Sequence, residues 1–400
     1  MQKCIFNGTV VRGGELLQHH AVIIENDRIV SVLPTLALAD FETGNGDMEY
    51  TDARGGYIMP GFIDLHSDYI EGVIQPRPGT VMDFSVGLRE AEKMLCAEGV
   101  TLMYHSLSLM IPRVENETLG IRAQECVDQL VSLIETFHEG RHLIRHRFHA
   151  RYEIDNLEGY EHLAKLIQSG KVHQLSFMDH TPGQGQYRDI AKYSAMFKNW
   201  KQLRTDDELN QYLEFCQTKP KASHEMLIAL SELARERNIP IASHDVDSIE
   251  QVGFLKETYG VNISEFPVTL EVARAARGAG MLVVVGAPNI LLGRSHSGNL
   301  SATEAIANDC ADILCSDYYP AALLNAVFQL AKRGVRTLPQ AVDMVTLNPA
   351  KAMRIDGDFG SVDVGKKADL LIVREHEEHP MIEKVFINGR CAMSFGYRIG

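Results

Sequence analysis

The stretch PGFIDLHSD, Pro60 to Asp68, decides how this chain is read. An apolar strand ending in His-x-His presents two imidazoles to one metal ion, and here the second of those positions carries Asp68. Side chains alternate along a strand, so His66 and Asp68 point to one side and can face a common centre. The site is either lost or retuned, and the rest of the chain decides which.

Outward from that stretch, a texture of strand, loop and helix repeats. GFIDLH (61–66) is followed by GVTLMYHSLS (99–108), HRFHARYEI (146–154), VHQLSFMDH (172–180), IPIASHD (239–245), NISEFPV (262–268), MLVVVGA (281–287) and ADILCSD (311–317), which makes eight β-rich runs. Helical periodicity fills several of the intervals. Phe84, Leu88, Ala91 and Leu95 share one face, and so do Leu119, Ala123, Leu130, Ile134 and Phe137. Eight β units with helices between them predict an α/β chain built on a (β/α)8 TIM-like barrel over residues 56–355.

The two ends differ from the middle. CIFNGTVV (4–11), AVIIEN (21–26) and DRIVSVLP (27–34), with ADLLIV (368–373) and KVFINGR (384–390), are short β-rich runs without a helical period. They predict a small β-sandwich domain formed by the N- and C-terminal segments, 1–55 and 356–400. A chain of 400 residues exceeds what one compact core usually holds, which agrees with a large domain and a small companion. Residues 181–223 form a polar, partly helical insert longer than a typical βα loop, readable either as a lid or as surface decoration.

Composition narrows the partners. The net charge of -14 argues against nucleic acid and anionic membranes, but not against a small anionic substrate, which responds to local charge. Seven scattered cysteines without a Cys-x-x-Cys pair argue against a disulfide framework and a thiolate zinc site. The start of the chain has no basic region followed by an apolar run, and no apolar segment approaches the roughly 18 to 20 residues that span a bilayer. The expectation is a soluble cytoplasmic protein, with a homodimer as its assembly.

The polar residues of the barrel runs gather at strand ends. His66 and Asp68 end the first, Glu153 the third, and His180, His244 and Asp317 the fourth, fifth and eighth. Barrel active sites are built at the C-terminal ends of strands, so these six can converge. Three imidazoles and three carboxylates offer ligands for two divalent ions, with Glu153 or a hydroxide between them. Any one of the histidines alone reads equally well as a hydrogen-bonded or surface residue; the joint pattern carries the signal. Asp68 in place of an imidazole hardens the site, so zinc and manganese are both candidate ions. Asp317 is the expected proton acceptor. His105, His142, His146, His173 and His224 are read as structural or surface residues.

Two further stretches concern anions. In GRSHSGNLSATEAIA (293–307), Ser301 and Glu304 are spaced as a capping box, and Arg294 and His296 would add charge to the helix start; an ordinary helix start explains the spacing as well. In PRPG (76–79), two prolines hold Arg77 ready for oxyanion contacts, or simply make a rigid turn.

Together PGFIDLHSD, PRPG, MDHTPGQGQY (178–187), ASHD (242–245), EFPVT (265–269), GAPNILLGRSHSGN (286–299) and CSDYYP (315–320) resemble the amidohydrolase superfamily and, within it, a branch of triphosphate hydrolases of phosphonate breakdown. The match runs in order from about residue 55 to VFINGRCAM (385–393). The resemblance implies a metal-dependent barrel with a small terminal β domain. It also implies hydrolysis of a small anionic ribose 5-triphosphate to the 5-phosphate and pyrophosphate, with an aspartate after the first histidine as the branch's own pattern. Many superfamily members bridge their metals with a carboxylated lysine; none of these strand ends offers one, and Glu153 takes that place. His180 and His244 stand one strand earlier than is usual in the superfamily, so either the strand count or the mapping is shifted. A triphosphate needs cationic partners, and Arg77, Arg151, Arg294 and His296, with the Arg188/Lys192 region, are the candidates. The competing readings are a C–N hydrolase acting on a cyclic amide or amidine, and a non-catalytic assembly partner.

Overall fold

The computed structural model describes residues 2–38, 48–110, 119–191, 193–194, 206–295 and 298–397. Five strands, β1 (Gln2–Arg12), β2 (Glu15–Glu25), β3 (Arg28–Pro34), β4 (Met48–Asp52) and β5 (Tyr57–Pro60), precede the barrel. Its eight strands are β6 (Phe62–Ser67), β7 (Val100–Leu109), β8 (Arg145–Glu153), β9 (Gln174–Met178), β10 (Ile241–His244), β11 (Ile263–Glu265), β12 (Leu282–Gly286) and β13 (Ile313–Cys315). They pair in parallel in chain order from β6 to β13. Each of the eight β-rich runs overlaps one of them, to within a residue at the ends of β6, β7 and β8. The strand count therefore stands, with His180 just beyond the fourth barrel strand and His244 at the end of the fifth.

The ring closes between its last and first members. Asp317 N–H donates to the His66 carbonyl (3.0 Å) and Asp68 N–H to the Asp317 carbonyl (2.9 Å), while Ser67 and Asp317 form a parallel bridge. Inside, Ile63, Leu65, Leu102, Tyr104, Ala242, Ile263, Val284, Ile313 and Cys315 form an apolar layer. The helix Leu347–Ala352 and Met353 join that layer, and the Val345 carbonyl just before the helix accepts from Ile63 N–H at the start of β6. His66, Asp68, His244 and Asp317 line a cavity at the opposite end, where the strands finish.

One local detail bears on the site. Ile63 and Leu65 face the interior, yet so does His66; the register slips between Asp64 and Ser67, and this irregularity turns the end of β6. Period-2 alternation holds on β8, where Phe148, Ala150 and Tyr152 join the outer core and His149, Arg151 and Glu153 take the other side. Phe84, Leu88, Ala91 and Leu95 are buried on one helix, Phe84–Ala97, as expected. Leu119 and Ala123 do not belong to the next helix, which starts at Gln124. Gly120 at φ +57° and Ala123 in extended backbone separate them from it.

The terminal segments meet in one mostly antiparallel eight-stranded sheet, completed by β14 (Leu370–His376), β15 (His379–Ile387) and β16 (Arg390–Ser394). Ile5, Val22, Ile24, Ile29, Ile58, Leu370, Ile372 and Phe386 cluster on its inner face. The chain crosses into the barrel at Gly61, where a Cβ would lie 2.4 Å from the Thr101 methyl. In the 181–223 insert, Tyr193, Leu209, Tyr212 and Cys216 form a small core of their own. Gly185 N–H fastens the insert to Asp247 Oδ2 (2.6 Å). No helix among the described residues is long and apolar enough to cross a membrane.

A buried ion pair joins the two units. Arg145, at the start of β8, binds the carboxylate of Asp369 and donates to Asn388 Oδ1 (2.5 Å), and its guanidinium lies 4.7 Å from the Phe359 ring centre. Asp369 Oδ1 also accepts from Asn388 N–H (2.8 Å). Removing one member leaves the other charged and dry, so Asp369→Ala is expected to lower stability by about 3–5 kcal/mol, read as a fall in the urea midpoint at unchanged slope.

Candidate active site

At the C-terminal mouth of the barrel lies a cavity of about 240 Å³, lined among others by His66, Asp68, Arg151, His244, Phe266 and Asp317. These residues come from the ends of β6, β8, β10, β11 and β13, so the fold gathers side chains that the sequence spreads over some 250 positions. Three residues beyond the strand ends adopt left-handed backbone: Asp245 (φ +55°), Phe266 (φ +53°) and Asp317 (φ +59°). For a phenylalanine this costs on the order of 1–3 kcal/mol. Their N–H groups are held on the neighbouring strands by bonds to Glu265, Val284 and His66 carbonyls (2.9, 3.0 and 3.0 Å), which maintain the turns.

The imidazoles form a line. His66 and His244 have ring centres 5.2 Å apart, and His244 and His180 5.8 Å apart. Each is met by a carboxylate. Glu153 contacts His180 Nδ1, Asp245 Oδ2 accepts from His244 Nδ1 (2.7 Å), and Glu265 Oε1 accepts from His66 Nδ1 (3.1 Å). His180 Nε2 lies 3.8 Å from Asp245 Oδ2. Burial disfavours a charged His180, but Glu153 and Asp245 on its two sides overcome this and raise its pKa to about 9. Burial would likewise raise Asp245, yet His244 and His180 hold it well below the usual carboxylate range. For His66 the balance goes the other way: burial, with Arg151 and His244 nearby, outweighs the pull of Asp245 and pushes it well below the ordinary imidazole value, so it is neutral.

This donor set fits a divalent cation. His244 Nε2 is buried without a hydrogen-bond partner, which is costly for an imidazole nitrogen unless a ligand takes it. Among the described residues, two groups have ligand atoms within 4.8 Å of one another, His66/His244/Glu265 and His180/His244/Asp245. The carboxylates that favour a proton on His180 favour a metal cation in its place.

Of the residues named from sequence, His66, Asp68, His244, Asp317 and Arg151 line the cavity, and Glu153 and His180 stand together beside it. Arg77 is exposed in a turn closed by its own bridge to Thr80, and Arg294 is exposed after the helix Ala287–Leu292; neither lines the cavity. Pro76, Pro78 and Gly79 flank Arg77 in that turn, and Gly293 (φ +70°) ends the helix just before Arg294. His296 and Lys192 lie outside the described residues. Ser301 precedes the helix Ala302–Ala307, but its side chain makes no capping bond.

Glu265 and Asp245 were not singled out from sequence. Both sit at barrel strand ends, in EFPVT and ASHD, so the rule that selected the other six selects them too. Arg122 escaped because it follows no strand: it pairs with Glu71 (2.8 Å) and reaches within 3.8 Å of Asp68 Oδ2.

Comparison with known proteins agrees with this geometry. The profile of the Amidohydrolase family matches residues 214–392. The chain is 35% identical over 346 residues to the alpha-D-ribose 1-methylphosphonate 5-triphosphate diphosphatase of Escherichia coli (strain K12), covering 86% of this chain and 89% of that protein. It is 23% identical over 422 residues to the imidazolonepropionase of Alkaliphilus metalliredigens, covering 97% and 94%. Among solved structures, the N-acetylglucosamine-6-phosphate deacetylase from Pasteurella multocida superposes with a TM-score of 0.64 at 13% identity, over 98% of this chain and 99% of that one, a likeness of fold. With an eight-stranded barrel, imidazoles and carboxylates at its mouth and this extended relationship, the chain belongs to the amidohydrolase superfamily and is one of its hydrolases.

Proposed function

We propose that this hydrolase cleaves the 5-triphosphate of a ribose 1-phosphonate to the 5-phosphate and pyrophosphate. The observation that carries the reading is the 35% identity over nearly the whole chain to a protein of that activity. The cavity supports it, because Arg151 brings a guanidinium to the wall shared with His66 and Asp317.

In this reading His66, Asp68, Glu153, His180, His244 and Asp317 hold two divalent ions, zinc or manganese. Bound there, the ions supply Lewis-acid polarisation of a water and of phosphate oxygens. The chain does the rest. Asp317 accepts the proton of the attacking water as the water oxygen bonds to one of the two phosphorus atoms flanking the bridge between the 5-phosphate and the terminal diphosphate, and that phosphorus–bridging oxygen bond breaks to release the 5-phosphate and pyrophosphate as anions. The left-handed turn at Asp317 and its backbone bond to His66 keep that carboxylate fixed on the first strand's end. Arg151, held by its bond to Met178 Sδ (3.2 Å), offsets charge on the non-bridging oxygens. Phe266, packed edge-on against His66 with ring centres 5.0 Å apart, closes one side of the site to water. Gln186, from the 181–223 insert, lines the cavity.

The competing reading is C–N bond hydrolysis, favoured by the full-length likeness to an imidazolonepropionase. One assay separates them: purified protein should release pyrophosphate from ribose 5-triphosphates and leave cyclic amides intact, and amide turnover without pyrophosphate overturns the proposal. Three further outcomes are expected. Asp317→Asn should lower kcat about 10²–10⁴-fold with KM little changed. Arg151→Gln should lower kcat/KM roughly 10–100-fold, the size of a lost charged hydrogen bond. Asp68→His should shift the activating ion from manganese towards zinc in a metal-reconstitution series, because an anionic oxygen is replaced by an imidazole nitrogen.

A further inference from the structure

Glu265 is fully buried at the end of β11 and no lysine or arginine pairs with it among the described residues. Its contacts have a direction. Gln174 Nε2 donates to its Oε1 (3.0 Å), Ser176 Oγ donates to its Oε2 (2.8 Å), and His66 Nδ1 lies 3.1 Å from its Oε1. Ser176 Oγ also lies 2.5 Å from His149 Nε2. His149 Nδ1 lies 2.9 Å from Ser106 Oγ and 3.1 Å from the Leu65 carbonyl, which can only accept. Ser106 Oγ in turn accepts from the Ser67 backbone N–H (3.1 Å). A single run of hydrogen bonds therefore leaves the backbone beside His66, crosses the barrel interior through β7, β8 and β9, and ends at the carboxylate that returns to the His66 ring.

We infer that Glu265 is a positioning residue that holds His66 as the Nδ1–H tautomer and so aims the bare Nε2 into the cavity as a ligand. A carboxylate has only acceptor sites to offer, so His66 can meet it only by donating from Nδ1. With Nδ1–H committed, the ring has one lone pair left, and the ring sits in the cavity wall. The inference rests on the reading of His66 as a metal ligand, and it separates Glu265 from that ligand set although Glu265 lies within ligand distance of it.

The test is zinc affinity, measured on metal-stripped full-length protein by competition with a chromophoric chelator, with bound zinc counted by atomic emission. Glu265→Gln should bind zinc about 10–100-fold more weakly while reaching the wild-type number of ions at saturation. Ser176→Ala, which removes one support of the carboxylate, should show a smaller loss in the same direction, and it carries the test if the melting curve shows Glu265→Gln to be unfolded. Nitrogen-15 shifts of labelled histidine should show the Nδ1–H form of His66 in wild type and its loss in Glu265→Gln, which a change of packing alone would not produce. Affinity equal to wild type in the folded variants overturns the inference. So does the loss of a whole equivalent of zinc, which would make Glu265 a ligand. Wild-type protein that binds no zinc overturns the metal reading and the inference with it; zinc binding without pyrophosphate release overturns only the proposed reaction.

Discussion

The seam between the eighth strand and the first is the contact on which the rest of this structure depends. Two backbone hydrogen bonds, from Asp317 to His66 and from Asp68 to Asp317, complete the ring there. Ser316 reinforces them through its hydroxyl on Ser67 (2.8 Å) and its N–H on Asp64 (3.1 Å). An open seam would leave two strand edges with unpaired backbone groups. The residues whose main chains close it are those whose side chains enter the cavity, so closing the barrel and assembling the centre are one event.

The charge chemistry of the two barrel ends differs in kind. Where the strands begin, Asp369 is met by Arg145, a permanently charged fork with no lone pair to offer. Where they end, Glu153, Asp245 and Glu265 are met by His180, His244 and His66. An imidazole can satisfy a buried carboxylate with one nitrogen and keep the other for a ligand. The first arrangement joins domains; the second keeps donors available at the mouth. Burial acts on both, and it raises Asp64, which lies beneath His66 with one oxygen unpartnered, to a pKa of about 6.

Much of this was legible before any coordinates. Eight runs of β-rich sequence with helical periodicity in several of the intervals gave the barrel, because strand propensity and alternation are local properties. His149, Arg151 and Glu153 share a face on β8 as their spacing requires. The slip in β6 was not legible, since it arises from how β6 meets β7 and not from the residues of β6 alone. The cations were hardest to place. Arg77 and Arg294 sit in conspicuous motifs but face solvent, whereas Arg122 sits in no motif and reaches Asp68.

By itself, then, the sequence determined the kind and order of the elements and which strand ends are polar, since those follow from neighbours a few residues apart. Only the tertiary structure decided which polar groups meet. Glu265 and His66 are 199 positions apart, and they touch because a closed ring of parallel strands brings every strand end to one mouth. Partner choice there depends on register and on left-handed turns at Asp245, Phe266 and Asp317, which cross-strand hydrogen bonds impose.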